Sequence, residues 1–524
     1  MLKLNLRKSI LAAMGTCATI CAAPSLVLAD DAQDIKQLKE QVRQMQEKID
    51  RMSSGQGTGQ SQTGTVAPPA PVNQGTQATD ESKRKETPAL TFAGITLYGT
   101  VDIGVEYVSH GAPLSQLWSP GLPSFIQSFS NHSITSVNGN GLSQSKIGIS
   151  GVEPIPGIPG IPDLTGIFRL ETGFNPWDGR LVDGPGSLAL NNGKAVAVRA
   201  SAGDSSRAGQ WLNGVAFAGL SSKTFGTLTF GRQNGLMLDM LTKYDPQLQA
   251  QAFSPIALSG TSGGLGDTQS NRLDNSIKYV LQVGPGRVAF IHGFGSAGYV
   301  PQNSNEFSFG ADYAGFSFDA LWGVVHGEVA ASSLSAAQVT TIQGLGYNPS
   351  NTLAATISDN TGYSLQASYN AQNFFPIKFY AGWERIKYNN PSHPDPVGTI
   401  DIGGYVLGVV NNTAYWTAGA NGLRQRILQI SWVGARWSVT KDFELTAAGY
   451  GYNQKSNAGN GCSNASSGTC AGELADISLV ADYHFTKRFD SYLGVNWSRV
   501  QNGLAAGFLF TSEYSPMAGV RFNF

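Results

Sequence analysis

The stretch "SPMAGVRFNF" (residues 515–524) alternates in character up to the final carboxylate. Val520, Phe522 and Phe524 share one parity, and small or polar side chains occupy the other. This period of two predicts a β-strand with one apolar face. Such a strand exposes unpaired backbone groups and promotes aggregation unless another strand covers it. A partner strand must therefore lie elsewhere in the sequence.

Residues 89–524 contain many stretches of the same kind. In "ITLYGTVDIGVEYV" (95–108) the odd-numbered residues are nearly all apolar, whereas the even-numbered ones include Asp102 and Glu106. "FSFDALWGV" (316–324) follows the same rule. Segments of roughly 9–11 residues with this alternation fit tilted membrane-spanning strands. A soluble β-sandwich also alternates, so the pattern alone leaves both folds open.

The connections between the segments distinguish these two folds. They are short and long in turn, which is typical of an outer-membrane barrel with trimmed periplasmic turns and elaborate extracellular loops. The short connections include "SSKT" before Phe225, "GPG" (284–286), "AGF" (314–316) and "TKR" (486–488), and the long ones include 175–210, 234–271, 328–359 and 389–423.

The alternation predicts sixteen antiparallel strands that close into an all-β transmembrane barrel. An even count brings the last strand beside the first, and lipid requires closure because an open edge would leave backbone groups unpaired in hydrocarbon. One short connection, 152–165, is proline-rich and predicts an elaborated turn. The predicted strands start near Ile95, Ser145, Gly166, Leu212, Phe225, Arg272, Arg287, Glu306, Phe316, Thr361, Ile377, Arg426, Phe443, Leu474, Phe489 and Glu513.

Composition and charge exclude several other classes of protein. The chain has 64 Gly, 10% aromatic residues and only 14% charged residues, and 35 Lys and Arg against 36 Asp and Glu give a formal charge of −1. A global basic field for nucleic acid is therefore absent. After the first 29 residues no apolar run reaches the roughly 18 residues of a membrane-spanning helix.

The N-terminal residues predict a processed and exported chain. Basic residues precede an apolar stretch at 10–20, and small residues before Asp30 fit signal-peptide cleavage after Ala29. Cleavage leaves only Cys462 and Cys470, for which we expect a disulfide in an oxidising compartment, with two free thiols as the alternative.

Two further segments precede the predicted barrel. Residues 30–52 carry an apolar heptad pattern that predicts a short coiled-coil helix between subunits. The residues at the apolar seam favour a coiled coil of two helices. The alternative is an amphipathic helix that lies on its own protein. Residues 53–88 lack apolar periodicity and predict a flexible Gly-, Gln- and Pro-rich linker.

Motifs of catalysis are absent from the sequence. The six histidines have no metal-ligand spacing, the glycine clusters lack the Lys and Ser/Thr of a phosphate loop, and no nucleophile elbow is present. We therefore predict no enzyme activity, no metal site and no cofactor.

The ordered motifs from residue 95 to 524 resemble the trimeric general porins of Gram-negative outer membranes, particularly the β-proteobacterial and neisserial branch. They include "TLYGTVDIGVEYV", "FAGLSSKTFGTLTFGRQ", "RLDNSIKYV", "ADYHFTKRFDSYLGVN" and the closing aromatic strand. The resemblance implies a homotrimer in outer-membrane lipid that passes small hydrophilic solutes, with Phe524 as the signal read by the β-barrel assembly machinery. Residues 30–88 are not part of the common pattern, but they are similar to periplasmic coiled-coil extensions of some outer-membrane channels, which favours a trimer.

The resemblance also implies a constriction site. A long loop after the fifth strand folds into the pore, and here it carries Asp239, Asp245 and Asp267. Basic wall positions that match the family are Lys146, Arg232 and Arg272. Side-chain parity adds the inward-facing residues Arg169, Lys278, Asp102, Glu106 and Glu171.

Arg232 conflicts with ideal alternation, because it shares parity with the apolar residues Leu228 and Phe230. A midplane Arg facing lipid costs roughly 2–4 kcal/mol, so we expect a bend at Gly231 that turns this side chain inward.

The predicted function is passive diffusion of small polar solutes and ions through a water-filled channel. Charges 4 Å apart interact by about 1 kcal/mol in bulk water and about 4 kcal/mol at an effective dielectric of 20, which biases solutes without trapping them. The inward charges are of both signs, which leaves the ion preference open. Two alternatives are a substrate-selective channel and a structural tether between outer membrane and cell wall.

Overall fold

The computed structural model describes residues 90–109, 133–179, 181, 211–257, 264–266, 272–294, 303–332, 336, 340, 352–372, 374–389, 401–402, 405–406, 426–455, 461–466, 470–505 and 510–524. The predicted signal peptide (1–29), helix (30–52) and linker (53–88) lie outside these residues. Within them, no helix combines the length and the apolar character needed to cross a membrane.

Strands dominate the elements whose bounds the structure gives, and α1 (Leu236–Tyr244) has nine residues. The elements are β1 Leu90–Phe92, β2 Ile95–Val108, β3 Ile134–Gly139, β4 Lys146–Pro154, β5 Thr165–Gly173, β6 Ala216–Ser222, β7 Gly226–Asn234, α1 Leu236–Tyr244, β8 Arg272–Val283, β9 Gly286–Gly293, β10 Ser304–Tyr313, β11 Phe316–Ser332, β12 Thr352–Asn370, β13 Ile377–Asn389, β14 Asp401–Ile402, β15 Tyr405–Val406, β16 Arg426–Ser438, β17 Phe443–Lys455, β18 Gly472–His484, β19 Phe489–Asn502 and β20 Ser512–Asn523.

Sequence neighbours pair antiparallel around one closed sheet, in which β3 and β4 are two pieces of a single barrel strand and both pair with β2. β1 is a three-residue strand that pairs with β2 and is not counted as a barrel strand. In the described residues this gives the predicted sixteen-stranded barrel. The small β14–β15 hairpin is a separate sheet.

The seam of the barrel joins β2 to β20, as the alternation of the closing residues predicts. The backbone N–H of Gly99 donates to the Phe524 carbonyl, and the Phe524 N–H donates to the Gly99 carbonyl, each at 3.0 Å. A Cβ on Gly99 would lie 2.3 Å from the Phe524 ring, so a side chain at this position has no space. The closing strand therefore has no free edge at this end.

The two faces of the sheet differ as the alternation predicts. Apolar side chains such as Leu493, Ile477 and Val433 point outward and are 58–63% exposed. Polar residues on the other parity, such as Ser478 and Asn496, are buried inside. The barrel therefore presents an apolar exterior suited to lipid.

The structure corrects the predicted extent of two strands. The sequence predicts a loop over 328–359, but β11 continues to Ser332 and β12 begins at Thr352. The two strands stay paired beyond a register shift between Gly327 and Glu328. Regular pairing therefore extends well past the length that a membrane strand requires.

The turn at 155–164 is compact and exposed. The Ile155 N–H donates to the Leu164 carbonyl at 2.8 Å, and Gly157 and Gly160 adopt φ of +85° and +81° in open space. Glycine adopts this left-handed backbone without steric cost, which lets the chain reverse despite its prolines.

The structure joins Cys462 and Cys470 by a disulfide with a Cα–Cα distance of 5.7 Å. It lies in the connection between β17 and β18. The Ala471 N–H donates to the Cys462 sulfur, and the Gln454 side chain donates to the Cys470 carbonyl.

Candidate functional site

The segment after β7 folds into the barrel interior, as the family resemblance implies. It begins with α1, whose contacts with inward-facing wall residues lie at both ends of the helix. The Met237 N–H donates to Glu306 at 3.0 Å. The Tyr244 hydroxyl donates to Asp319 at 2.6 Å, and Trp432 Nε1 donates to the Tyr244 carbonyl at 3.0 Å. The helix is therefore fixed across the interior rather than left free in it.

Asp245 ends the helix and is fully buried, so its charge does not face water. Its carboxylate accepts hydrogen bonds from the Tyr450 hydroxyl at 2.6 Å, the Ser254 hydroxyl at 2.7 Å and the Gln249 N–H at 2.8 Å. Burial raises the pKa of Asp245, and the hydrogen bonds from Tyr450 and Ser254 act in the opposite direction. The structure thus places this predicted constriction carboxylate in a structural role, shaping the segment that follows α1.

An apolar cluster fills one side of the interior, which we call the packed half: the inner face of β9–β19 with the loop residues packed on it. Aromatic and aliphatic side chains from the wall pack with those of α1 and the segment that follows it. The cluster includes Leu236, Met237, Met240, Leu241, Tyr244, Ile256 and Leu265 from the loop, and Ile291, Leu321, Val325, Ile386, Leu428, Ile430, Trp432, Tyr450, Tyr452 and Leu474 from the wall.

The opposite side, the inner face of β2–β8, carries the predicted basic residues, and we call it the charged half. Glu171 lies at its centre. Arg169 contacts the Glu171 carboxylate at 2.8 Å and Lys146 contacts it at 3.3 Å. Arg169 also donates to the Tyr98 hydroxyl at 2.6 Å.

Arg272 lies near this group, close enough for its charge to interact with those of Arg232, Glu171 and Arg169, but it forms no ion pair with Glu171. In the described part of the chain, two cations contact the Glu171 carboxylate and a third lies near it, and the side chains of Lys146 and Arg169 remain 21% and 13% exposed to solvent. The structure thus brings four of the predicted residues together in one partly hydrated cluster.

Arg232 is buried beside this cluster. A register shift lies between Gly231 and Gln233, and Gly231 has a φ of +126°, so the strand is irregular where the conflict in parity predicts a bend. The Arg232 guanidinium contacts Asp274 at 2.5 Å and donates to the carbonyls of Gly214 and Asn213 at 3.0 Å each. These partners compensate the buried charge of Arg232.

Lys278 and Asp239 pair with each other across the interior. Lys278 is fully buried and also donates to the Asn234 carbonyl at 3.0 Å, while the Asp239 side chain is 24% exposed. The pair joins the wall to α1. Asp267, the third predicted loop carboxylate, lies outside the described residues.

Asp102 and Glu106 face inward on β2, but each is bound to protein groups. Asp102 is fully buried and accepts from the Tyr492 hydroxyl at 2.7 Å and from the Leu142 N–H at 2.8 Å. Glu106 accepts from the Asn138 side chain at 2.5 Å. Both carboxylates hold neighbouring chain segments in place.

Two further ion networks were not among the predicted site residues. In one, Asp312 contacts Lys243 at 2.7 Å and Arg287 at 3.0 Å, which ties α1 to β9 and β10. The inward parity of Arg287 and Asp312 was the signal that could have found it.

The second network lies near the turn between β18 and β19. Asp482, His484 and Asp490 place ligand atoms within 4.8 Å of one another, and no other group of the described residues has metal-binding geometry. Arg521 contacts Asp490 at 2.9 Å and Asp482 at 3.4 Å. This guanidinium compensates the carboxylates, so the group is an ion-pair network that joins β18, β19 and β20.

Comparison with known proteins places this geometry in a family. A family model for Gram-negative porins matches residues 76–503. A search of curated proteins by sequence found no match.

Among solved structures, the anion-selective porin from Comamonas acidovorans has a TM-score of 0.50 and 17% identity, with 82% of this chain and 99% of that chain covered. OmpF of Salmonella typhi in complex with daunomycin has a TM-score of 0.45 and 12% identity, with 82% and 97% covered. The outer-membrane channel DcaP of Acinetobacter baumannii has a TM-score of 0.45 and 13% identity, with 83% and 99% covered.

The matched region includes β1 to β19 and the whole charged cluster, and it is well over half of the chain. The closed barrel, its apolar exterior and the loop folded inside it agree with that match. The protein belongs to the Gram-negative porins and forms an outer-membrane channel for the passive diffusion of small polar solutes.

Proposed function

We propose that this channel admits anions in preference to cations, along a path bordered by the charged half of the barrel. The observation that carries the proposal is the cluster of Lys146, Arg169 and Arg272 around the single carboxylate of Glu171. Among the described residues, Lys146, Arg169 and Arg272 carry three positive charges and Glu171 carries one negative charge, so this group of side chains has a positive excess. Its partial exposure allows that excess to act on ions in water.

Three acidic groups of the packed half add little to the field in the channel, because they are buried. Glu306, Glu384 and Asp476 point inward but are at most 1% exposed. Glu306 and Glu384 accept from the backbone N–H groups of Met237 and Leu265, and Asp476 accepts from the Asn496 side chain. These three carboxylates therefore fix the loop to the wall and are shielded from permeating ions, whereas Lys146 and Arg169 are partly exposed.

The solved porin from Comamonas acidovorans is described as anion-selective. At 17% identity, the likeness between the two chains supports a shared fold and nothing more. The ion preference proposed here rests on the charges of this chain.

Planar-bilayer recordings under a potassium chloride gradient test the proposal. We expect the reversal potential to take the sign of chloride preference. A reversal potential at zero or of the opposite sign would contradict it. The same recordings with added solutes separate a general channel from a substrate-selective one, since only the latter is blocked by a particular solute at low concentration.

We further propose that the protein is a homotrimer without enzyme activity, that a signal peptide is removed after Ala29 and that residues 30–88 lie in the periplasm. The heptad pattern of residues 30–52 and the porin family support subunit association, and the porin fold supports a channel rather than an enzyme. We also propose that the C-terminal strand engages the β-barrel assembly machinery.

Deletion of residues 30–88 tests the role of the N-terminal segments. We expect the deleted protein to conduct normally and its trimer to dissociate at a lower temperature on a native gel. Unchanged dissociation would exclude a role in the trimer, and detachment of the envelope with unchanged conductance would support the tether instead.

A further inference from the structure

The periplasmic end of β18 and β19 carries a group of side chains that the proposed ion preference does not use. His484 on β18 lies directly opposite Asp490 on β19, and Asp482 precedes His484 by two residues on the same strand. Side chains two residues apart on a strand, or directly opposite each other on adjacent strands, share one face of the sheet. All three side chains therefore lie on the inner face of the barrel, close to its periplasmic opening.

The turn between the two strands holds these side chains at fixed positions. The backbone N–H groups of Phe485 and Thr486 donate to the Phe489 carbonyl at 3.0 and 3.1 Å, and the Thr486 hydroxyl accepts from the Phe489 N–H at 3.0 Å. The His484 N–H donates to the Asp442 carbonyl at 2.8 Å, which ties the end of β18 to the neighbouring turn. Side chains on such a rigid hairpin are suited to a binding site of defined geometry.

The distances between the three side chains fit metal ligands better than a hydrogen-bonded group. His484 Nδ1 is 3.6 Å from Asp490 Oδ2, and His484 Nε2 is 3.8 Å from Asp482 Oδ2. Both distances exceed the roughly 2.7–3.2 Å of a hydrogen bond. Two ligand atoms of a tetrahedral zinc ion are about 3.4 Å apart, because each lies about 2.0–2.2 Å from the metal. One ligand atom from each residue lies within 4.8 Å of the other two, so small side-chain movements bring them around one ion.

Asp482 provides a second and independent indication of a ligand. Its Oδ1 atom is buried and has no hydrogen-bond partner among the residues that the structure describes, and its side chain is 9% exposed. A buried carboxylate oxygen without a partner is unfavourable, and a metal ion bound to this carboxylate removes the deficit. The side chain of His484 is 17% exposed, so the group is open to water in the channel.

The charges of the group favour a cation. Asp482 and Asp490 carry two negative charges, and Arg521, which contacts both, carries one positive charge. Arg436 also acts on Asp482, but its own ion pair is with Glu444. With a neutral imidazole, these described residues leave one negative charge in excess. Arg521 donates from Nε and Nη2 to Asp490 at 3.2 and 2.9 Å, as groups around a metal centre do when they orient a carboxylate ligand.

We propose that Asp482, His484 and Asp490 bind a divalent transition-metal ion, with water from the channel completing its coordination. An imidazole ligand suits zinc, copper and nickel ions, whereas calcium and magnesium ions prefer oxygen ligands alone. The bound ion links β18 to β19 beside the closing strand β20. Arg521 is a positioning residue, because it holds the Asp490 carboxylate and does not itself bind the metal.

Isothermal titration of Zn²⁺ into tag-free protein, stripped of metal with a chelator and held in detergent, tests the proposal. We expect one saturable zinc site per chain. His484→Gln should weaken zinc binding about tenfold or more, which corresponds to about 1.4 kcal/mol. His326→Gln is the matched control and should leave binding unchanged, because it removes a histidine that pairs with Asp359 on other strands. Wild-type protein that binds no zinc, or H484Q that binds it as tightly as the wild type, would overturn the proposal.

A second variant and a second readout make the test independent of one substitution. Asp482→Asn keeps the size of the side chain and removes a charged ligand, so it should also weaken zinc binding about tenfold or more. One equivalent of Cu²⁺ should show hyperfine coupling to an imidazole nitrogen by electron paramagnetic resonance in the wild type and in H326Q. Persistence of this coupling in H484Q would contradict the assigned ligand, and tighter binding of Ca²⁺ than of Zn²⁺ would contradict the class of metal. The barrel band on an unheated gel confirms that each variant is folded.

Discussion

The two halves of the barrel interior share a sheet but use their side chains differently. In the packed half, Trp432, Tyr450 and Tyr452 are at most 4% exposed and belong to the apolar cluster that includes residues of α1. In the charged half, Lys146 and Arg169 stay partly exposed around Glu171. The alternation of a strand decides only which residues point inward. Where the loop covers them, they behave as the core of a globular protein, and where it does not, they border the water.

This difference predicts that the halves respond differently to substitution. Changes in the packed half should alter stability and the position of the loop, because they remove contacts. Changes at Lys146 and Arg169 should alter ion preference and cost less stability than changes in the packed half, because charge pairs in contact with solvent contribute less to folding than buried contacts.

The largest expected effect comes from Trp432→Ala in the packed half. This side chain is 1% exposed and donates to the Tyr244 carbonyl, so its loss should lower the free energy of unfolding by about 3–5 kcal/mol. Loosening of α1 should also make the single-channel current larger and noisier. Trp497→Ala, on the lipid face, is the matched control and should leave the current unchanged. If the single-channel current of W432A were as quiet as that of the wild type, the wall would not be what holds α1 in place.

Removal of the disulfide should have the next largest effect. The variant C462S/C470S opens a short covalent loop above β17 and β18, and should lower the free energy of unfolding by about 2–3 kcal/mol. Denaturation followed with and without reductant measures the change. Ion preference should stay as in the wild type, because the loop lies outside the charged half; a shifted reversal potential would contradict this separation.

In the charged half, we expect the double variant K146Q/R169Q to lower the ratio of chloride to potassium permeability by up to about fivefold, which corresponds to about 1 kcal/mol. Arg436→Gln is the control, because it also removes an inward cation but one paired with Glu444 near a periplasmic turn. Reversal potentials under a salt gradient measure both. An equal shift in the two proteins would mean that total charge, and not this cluster, sets the preference.

The smallest effect should come from Glu171→Gln. Without this carboxylate the three cations keep their full charge, so anion preference should rise at low salt and the rise should fade as ionic strength increases. The increase should be smaller than the decrease in K146Q/R169Q, because only one charge changes. Reversal potentials at two ionic strengths provide the measurement, and a fall in anion preference would contradict the proposed role of the cluster.

Much of this fold follows from the sequence, because alternation and turn chemistry are local. The starts of β2, β8, β11, β13, β16, β17 and β19 coincide with the predicted residues. The extensions of β11 and β12 were missed because the sequence there reads as a long extracellular connection. The packed half was missed for a different reason: β16 has Leu428, Ile430 and Trp432 on its inner face as well as apolar residues outside, which hides the alternation.

The site was predictable in part. Parity on β4 and β5 selects Lys146, Arg169 and Glu171 because these strands are regular. Ideal alternation assigns the Arg232 side chain to the lipid-facing side of the sheet, which is wrong because the irregularity at Gly231 turns it to the inner side. The burial of Asp245 depends on Tyr450, which lies 205 residues later in the chain, and no local pattern reports a contact of that kind.

The seam between β2 and β20 sets a condition on biogenesis. Thr100 hydrogen-bonds Asn523 across 423 residues, and closing a flexible loop of that length in one step would cost roughly 5 kcal/mol of chain entropy. Hairpins that zip together in sequence reduce this cost, since each new strand meets a neighbour already in place. The ring still cannot close until β20 has been synthesised, so closure of the barrel is a late step in the formation of the protein.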